Sequence, residues 1–226
     1  MKRIEERKKK LTPKHVIFLI LEAIVILLLL TAYIFPMFYM ISTSLKTMRE
    51  VNVSPPTLWP EILQWQNYAE AWQKMNFFHY FKNSVFISVM TIVGQLLVCV
   101  PCAYALAKKQ FVGRKFFHTL VLFDLIVPSQ IIFLSIYLIE SKINWINTYQ
   151  GLIVPFIYSA FSIFFLIQTF KTLPDDVLDA AKLDKCSEIQ IIGSIILPMA
   201  KPTIITTVMF TFVYKWNDYF WTSILT

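Results

Sequence analysis

The stretch VIFLILEAIVILLLLTAYIFPMFYMI, residues 16–41, decides the fold class of this chain. Its only charged residue is Glu22, which lies near one end, where it can reach the membrane interface. A helix needs about 20 mostly apolar residues to cross the hydrocarbon core of a bilayer. The run exceeds the roughly 7–15 apolar residues of a signal peptide, and no small-residue cleavage pattern follows it. It therefore predicts a retained transmembrane helix.

Four more apolar runs follow, and together the five runs predict an all-α transmembrane protein. The predicted spanning helices are 16–41, 83–107, 116–139, 151–170 and 202–225. The composition agrees, because 57% of the 226 residues are hydrophobic and 15% are charged, against about 25% charged residues in an average soluble domain. The fifth span would stop in apolar sequence, so we expect the given sequence to be incomplete.

The sequence between the first two spans is of a different kind. Residues 42–82 contain Pro55, Pro56 and three tryptophans. A Pro-Pro pair does not continue a helix, and tryptophan favours the membrane–water interface. We predict an extracytoplasmic loop over 42–82 with one short helix near residues 65–75.

The distribution of basic residues predicts the orientation of the chain. Segments 1–15, 108–115 and 171–201 together carry 15 of the 21 Lys and Arg residues. Lys and Arg accumulate on the cytoplasmic side of membrane proteins. The N-terminus is therefore predicted to be cytoplasmic, with a basic segment 1–15 before a transmembrane domain 16–226. The net charge of +7 is explained in this way, and no nucleic-acid partner is expected.

No catalytic, cofactor-binding or metal-binding constellation is visible in the sequence. The three histidines are isolated, and four glycines leave little room for a phosphate-binding loop. Cys99 and Cys102 have the spacing of a redox motif, but both lie in an apolar run, where packing explains them better. We predict that the chain is not an enzyme and has no ATPase site of its own.

The segment LDAAKLDKCSEIQIIGSIILPMAKP, residues 178–202, carries most information about function. Just before it, Pro174 and two aspartates predict a helix start. Ser187 predicts the N-cap of a second helix, which Pro198 and Pro202 end before the fifth span. The pattern predicts two short amphipathic helices joined by a turn, although spacing alone leaves an ordinary solvated loop open.

This segment resembles the EAA loop of permease subunits of binding-protein-dependent ABC importers. The positions that carry the resemblance are Asp179-Ala180-Ala181, Asp184, Ile195, Leu197-Pro198 and Pro202. Flanking motifs resemble the carbohydrate, or maltose-type, branch: SPPTLWP at 54–60, AYALA at 103–107, INTYQGL at 146–152 and WND at 216–218. The chain departs from the pattern where Asp179 replaces Glu, Lys185 replaces Gly and Cys186 replaces Ala. Lys185 puts the turn in doubt, since glycine adopts a positive φ more readily.

The resemblance implies a permease subunit in the bacterial inner membrane that translocates a sugar or oligosaccharide. It also implies six helices, one more than the sequence provides. The implied partners are a second permease subunit, two ATP-binding subunits that hold the ATP, an extracytoplasmic solute-binding protein and membrane lipid. The residues expected to dock on the ATPase are Asp179, Ala180, Ala181, Leu183, Asp184 and Lys185.

The candidates for a substrate path are Asp124, Trp216, Asn217 and Asp218. An acid such as Asp124 inside the bilayer costs about 2.5 kcal/mol or more unless it is paired or hydrated, so it would line the path or make a polar contact between helices. Trp216 and the aromatic residues near it would stack on a sugar or form an interfacial belt. Lys215 is expected to snorkel outward.

Two other kinds of function stay open at this stage. The EAA pattern is shared by permeases for other small solutes, such as polyamines or phosphate-linked compounds. A membrane-embedded enzyme or a scaffold without a transport role is the alternative of another class. The enzyme would need a cluster of catalytic side chains, and the scaffold would not need a two-helix loop of this spacing.

Overall fold

The structure, a computed structural model, describes residues 13–226. All regular elements in this part of the chain are helical, as the sequence predicts. The chain divides into two compact units, residues 1–77 and 78–226. The basic segment 1–15 lies outside the described residues except for 13–15, which begin the first helix.

The first unit is dominated by one long apolar helix, α1 (Pro13–Ser44). At about 1.5 Å per residue, a helix of this length exceeds the hydrocarbon thickness of a bilayer, about 30 Å. Its most apolar stretch is not buried by any part of the chain that the structure describes. The predicted span 16–41 is therefore confirmed as part of a helix that is long and apolar enough to cross a membrane.

The segment that follows α1 is tied to the end of that helix by hydrogen bonds to its backbone. It contains two short helices, α2 (Met48–Val51) and α3 (Gln66–Lys74). The side-chain amide of Asn67 donates to the carbonyl oxygens of Ser44 and Lys46, each at 2.9 Å. The predicted helix near residues 65–75 is confirmed as α3, and the sequence analysis missed α2.

The second unit contains ten helices with bounds as follows: α4 (Phe77–Lys108), α5 (Arg114–Asp124), α6 (Phe133–Lys142), α7 (Tyr149–Ile153), α8 (Ala160–Thr172), α9 (Asp175–Leu183), α10 (Glu188–Ile191), α11 (Leu197–Met199), α12 (Lys201–Trp216) and α13 (Phe220–Leu225). Short 3₁₀ turns precede α6 and α8, and a π-helical stretch lies between α10 and α11. With the 3₁₀ turn, α7 and α8 form one apolar span, Tyr149–Thr172. This span and α4 confirm the predicted spans 151–170 and 83–107.

The other two predicted spans are not single helices. In place of the span 116–139, α5 and the stretch Ser129–Lys142 meet at an angle of 95°. Pro128 lies at this break, where it supplies no amide hydrogen and disfavours helical backbone in the residue before it. The predicted span 202–225 is interrupted after Trp216, where α12 ends. The axis of α12 makes an angle of 86° with the helical stretch before it, Glu188–Met199.

The number of membrane spans follows from how these bends are counted. In residues 13–226, three helices are long and apolar enough to cross a membrane. The number rises to five if each bent pair is one span. The predicted spans 16–41, 83–107 and 151–170 fall within the three apolar stretches, and the span 116–139 corresponds to one bent pair. The other bent pair, Glu188–Met199 with Lys201–Trp216, shares only residues 202–216 with the predicted span 202–225.

The main core of the second unit lies where the C-terminal half of α4 packs against α8 and the helices after it. The fully buried side chains are mostly aliphatic or aromatic and include Cys99, Ala103, Ile163, Phe170 and Ile191. The burial of Cys99 supports a packing role rather than redox chemistry. A smaller cluster joins Leu152 of α7 to Trp221 and Leu225 of α13.

Gly151 in α7 occupies a position where a side chain does not fit. A Cβ there would lie 2.5 Å from the Trp145 carbonyl oxygen and 2.9 Å from Glu140 Oε2. Gly151→Ala is expected to lower the free energy of unfolding by about 1–3 kcal/mol, because the backbone must shift to relieve the clash. The measurement is the thermal unfolding midpoint in detergent.

Gly193→Ala is the matched control, because nothing lies within 4 Å of a Cβ at that position. It is expected to leave the midpoint unchanged or to raise it, since alanine favours a helix over glycine. Equal losses of stability in the two variants would contradict the assigned clash.

Candidate functional site

The first helix of the candidate site is α9, which begins directly after Pro174. Asp175 and Asp176 occupy its first turn, where negative charge is stabilised by the helix dipole. Leu178 and Ala181 are three residues apart and share one face. Both are buried in the main core. The helix is therefore fixed to its own chain by one apolar face.

The turn after α9 keeps a geometry that usually calls for glycine. Lys185 has a φ of +55°, in the left-handed region. Its N–H donates to the Lys182 carbonyl at 3.0 Å, and the Cys186 N–H donates to the Ala181 carbonyl at 3.0 Å. These two bonds are the pair that defines a Schellman C-cap. The sequence left open whether Lys185 permits this turn, and in the structure the turn is formed with Lys185 in the left-handed region and both hydrogen bonds made.

The second helix of the site begins as the sequence predicts. The Ser187 hydroxyl accepts a hydrogen bond from the Gln190 N–H at 3.4 Å, and the Ser187 N–H donates to Gln190 Oε1 at 2.8 Å. This reciprocal capping box satisfies two of the free amides at the helix start. Ile191 then enters the core, whereas Ile189 is 83% exposed.

Two ion pairs connect these two helices to the end of α4. Lys108 Nζ donates to Asp175 Oδ1 at 2.6 Å, at the start of α9. Lys109 Nζ donates to Glu188 at the start of α10, and Glu188 also accepts a hydrogen bond from the Tyr104 hydroxyl at 2.9 Å. We call these contacts the α4 clamp.

The two partners of the first ion pair differ in their environment. The Lys108 side chain is 6% exposed, whereas that of Asp175 is largely exposed. The hydrogen bond from Lys108 and its charge hold the pKa of Asp175 below its ordinary value. Lys108 is therefore shielded from solvent, whereas Asp175 is exposed, so dissolved salt weakens the attraction between the two charges.

The sequence analysis missed the α4 clamp. There, Lys108 and Lys109 were counted only among the basic residues that predict the orientation of the chain. Their partners are 67 and 79 residues further along the chain. The available signal was a basic pair at the end of one predicted span, together with acids at two predicted helix starts.

Most of the expected docking residues are on the surface of the site. Asp179, Ala180, Asp184 and Lys185 are exposed, and the apolar side chain of Leu183 is 84% exposed. Ala181 requires a correction, because it is 5% exposed and packs inside its own chain. Ile189, which the sequence analysis did not select, adds a second exposed apolar side chain after the turn.

The candidates for a substrate path have different surroundings. Asp218 Oδ2 accepts a hydrogen bond from Lys215 Nζ at 2.9 Å, and both side chains are almost fully buried. The expected outward path of Lys215 is therefore wrong: its ammonium lies 3.2 Å from the centre of the Phe156 ring. The second Asp218 oxygen accepts a hydrogen bond from the Trp221 N–H at 3.1 Å.

The other path candidates are more accessible. Trp216 is exposed and stacks on Phe212 with 5.3 Å between ring centroids. The Asn217 side chain donates to the Val213 carbonyl of its own helix at 2.8 Å. Asp124 is exposed at the end of α5, next to the Tyr158 phenol. Within residues 13–226 there is no cluster of His, Cys, Asp and Glu that could hold a metal ion.

These features together define a class of protein. The chain is a helical, multi-span membrane protein with a two-helix segment, residues 175–199, that is attached to the end of α4. The first helix of this segment is α9, and the second is the helical stretch Glu188–Met199, which contains α10 and α11. Comparison with known proteins identifies the family. The chain matches the "Binding-protein-dependent transport system inner membrane component" family over residues 99–226 and belongs to it. Its place is therefore the inner membrane of bacteria.

Three similar proteins are permease proteins, one of an uptake system and two of transport systems. The chain is 32% identical over 188 residues to the diacetylchitobiose uptake system permease protein NgcG of Streptomyces coelicolor, and the match covers 82% of this chain and 62% of that protein. It is 32% identical to the arabinooligosaccharides transport system permease protein AraQ of Halalkalibacterium halodurans, covering 83% and 68%. It is 30% identical to the sn-glycerol-3-phosphate transport system permease protein UgpE of Yersinia pestis, covering 78% and 65%.

A solved structure has the same fold. A bacterial ABC transporter involved in the import of the acidic polysaccharide alginate contains a chain that superposes with a TM-score of 0.85 at 25% identity. The match covers 95% of this chain and 76% of that one. The present chain thus spans 62% to 76% of the length of these four proteins.

The left-handed backbone at Lys185 gives a first prediction for the site. Lys185→Gly is expected to stabilise the turn by about 1 kcal/mol, because glycine adopts a positive φ without the steric cost of a Cβ. Lys185→Ala is the control, since it removes the charge and keeps the Cβ. The measurement is the thermal unfolding midpoint of the two variants, and a gain in the alanine variant as large as in the glycine variant would contradict the backbone explanation.

The α4 clamp gives a second prediction. Asp175→Asn is expected to accelerate amide hydrogen exchange in α9 at neutral pH, whereas Asp176→Asn in the same turn leaves the Lys108 contact intact. Because the pKa of Asp175 is lowered in the fold, its contribution is present above the ordinary pKa of about 3.9 and is lost as the pH falls through the lowered value. Equal exchange in the two variants at neutral pH would contradict the clamp.

Proposed function

We propose that the chain is the permease subunit of an ATP-driven importer that translocates a sugar or an oligosaccharide. The observation that carries the proposal is the two-helix segment 175–199. One side of it is fixed to α4 and the core, and the other side exposes Leu183 and Ile189. An amphipathic helix with exposed apolar anchors and a charged rim suits insertion into a groove of a partner protein.

The substrate class is supported by the proteins that this chain resembles. NgcG, AraQ and the alginate transporter are named for carbohydrates of more than one sugar unit. UgpE is named for sn-glycerol-3-phosphate, so a phosphate-linked solute is the second candidate. Three of these four names favour a carbohydrate.

In the proposed orientation the N-terminus and the segment 171–201 are cytoplasmic, and residues 42–82 are extracytoplasmic. The accumulation of Lys and Arg in the segments assigned to the cytoplasm supports this orientation. The ATP-binding subunits would then meet segment 171–201, and a solute-binding protein would meet the opposite side.

The partners in this proposal are a second permease subunit, two ATP-binding subunits and a solute-binding protein. The apolar stretch of α1, which is 0% buried among residues 13–226, supports contact with lipid and with a second permease subunit. The residues of this chain that we propose to contact the ATP-binding subunit are Asp179, Ala180, Leu183, Asp184, Lys185 and Ile189. Ala181, which the sequence analysis had included, is left out of this set because it is buried in its own chain. ATP is bound by the partner in this scheme and not by the present chain.

The mechanism proposed is a rigid transfer of movement. Closure of the ATP-binding subunits would move the segment 175–199 as a unit, since its inner face is part of the core. The α4 clamp would pass this movement to α4 at two points, one at the start of each short helix. Rigid movement of packed helices of this kind is a general way to alternate access to a central site.

For the substrate path we retain Trp216 as the main candidate, because its ring is exposed beside other aromatic rings and offers a flat face to a sugar. Asn217 and Asp124 are also accessible and would supply hydrogen bonds to hydroxyl groups. Asp218 is satisfied by Lys215 and a backbone amide, so we propose that it shapes the path rather than contacts the solute.

Uptake of labelled solutes by cells with and without the intact transporter tests the function. The wild-type complex is expected to accumulate an oligosaccharide from a panel that also contains sn-glycerol-3-phosphate and a polyamine. Leu183→Asp is expected to reduce uptake at least about tenfold while the permease stays in the membrane, because a charge replaces an apolar docking contact. The measurements are initial uptake rates and co-purification of the ATP-binding subunit.

Ile62→Asp is the matched control, since Ile62 is 67% exposed and lies outside the two-helix segment. It is expected to retain the ATP-binding subunit. Wild-type uptake and co-purification in Leu183→Asp would overturn the docking assignment, and accumulation of glycerol phosphate alone would replace the carbohydrate by the second candidate.

A further inference from the structure

We propose that the second unit contains a binding site for the phosphate headgroup of an anionic membrane lipid. The site is a cleft of about 810 Å³ between the end of α4, the turn after it, the start of α5 and the end of α8. Its basic side chains are Arg114, Lys115 and Lys171. We call it the basic cleft. Its lining includes none of the residues of the two-helix segment.

The position of the basic cleft matches the border of a membrane. Arg114 is the first residue of α5, and Lys171 lies in the last turn of α8. The contact of Lys108 Nζ with the Leu173 carbonyl, at 2.6 Å, places the ends of α4 and α8 side by side. These ends belong to apolar spans, so the cleft lies where hydrocarbon gives way to headgroups.

The charges of the basic cleft are not compensated within it. None of the described residues that line the cleft is an acid. Arg114 donates hydrogen bonds to the carbonyls of Leu106 and Ala107 at the end of α4, which fixes its guanidinium group but does not neutralise it. His118 Nε2 is buried without a hydrogen-bond partner among the described residues. A ligand with a negative charge and oxygen acceptors would balance these charges and accept hydrogen bonds from these side chains.

The remaining lining distinguishes a lipid from a free anion. Leu106, Phe111 and Phe116 form apolar walls beside the basic side chains. Phosphate alone would gain nothing from these walls, whereas a lipid places acyl chains against them. Basic pockets between transmembrane helices bind the headgroups of acidic lipids, and the apolar walls of this cleft would contact the acyl chains.

The test uses the full-length permease, purified in detergent with the subunits that accompany it, and titrated with phosphatidylglycerol. The readouts are bound lipid by native mass spectrometry and the rise of the thermal unfolding midpoint. Lys115→Gln with Lys171→Gln is expected to weaken phosphatidylglycerol binding about 25-fold, at about fivefold for each cation. Arg114 is left unchanged because it caps α4.

The control is Lys82→Gln with Lys142→Gln, which removes the same charge from exposed lysines outside the cleft. It is expected to change binding less than about twofold. Equal losses in the two double variants would overturn the site in favour of general surface attraction. If the first double variant has a lower midpoint without lipid, the single variants take its place, each with an expected loss of about fivefold.

Two further ligands separate the possible sources of the phosphate. Phosphatidylcholine, whose headgroup is neutral overall, is expected to bind more weakly than phosphatidylglycerol. Inorganic phosphate that raised the midpoint as much as the lipid at equal concentration would overturn the lipid assignment. The inference rests on the membrane family and not on the proposed substrate, so lipid binding and solute uptake are separate readouts.

Discussion

The bilayer offers no hydrogen-bond partners to a peptide group, and this constraint governs where the helices of the chain end. Two of the apolar stretches break inside their predicted spans, after Asp124 and after Trp216. At the second break Asp218 accepts a hydrogen bond from the Trp221 N–H, so a side chain replaces the missing helical carbonyl at the start of α13. At this break a polar side chain thus satisfies a backbone amide that no helical carbonyl reaches.

The same requirement explains the buried ion pair at this break. Asp218 would be a buried, uncompensated charge without Lys215, and removing one partner of a buried pair typically destabilises a protein by about 3–5 kcal/mol. Lys215 in turn lies over the Phe156 ring, and Trp221 packs edge-on against the same ring at 5.2 Å. The bend between α12 and α13 is thus packed against Phe156, in the 3₁₀ turn before α8.

Local patterns in the sequence predicted the structure well, and long-range contacts did not follow from them. The apolar runs of α1, α4 and α7–α8, and the capping residue Ser187, act over a few residues and are readable from spacing. The ion pair between Lys108 and Asp175 depends on how the ends of α4 and α8 meet, which spacing does not contain. Lys185 shows the same limit. Its positive φ accompanies hydrogen bonds from the Lys185 and Cys186 N–H groups to the Lys182 and Ala181 carbonyls, and the preference of lysine for negative φ does not predict it.

The end of α4 is where the separate features of the second unit meet. One face of this end packs against Leu178 and Ala181 of α9. Lys108, and Lys109 directly after the helix, form ion pairs with the starts of α9 and α10. The carbonyls of the last turn accept hydrogen bonds from Arg114 of α5. A movement of the two-helix segment would therefore reach α4 through packing and through charge together. Because Arg114 also lines the basic cleft, a lipid bound there would contact the residue that caps this end, and the proposed coupling and the proposed lipid site would share one structural support.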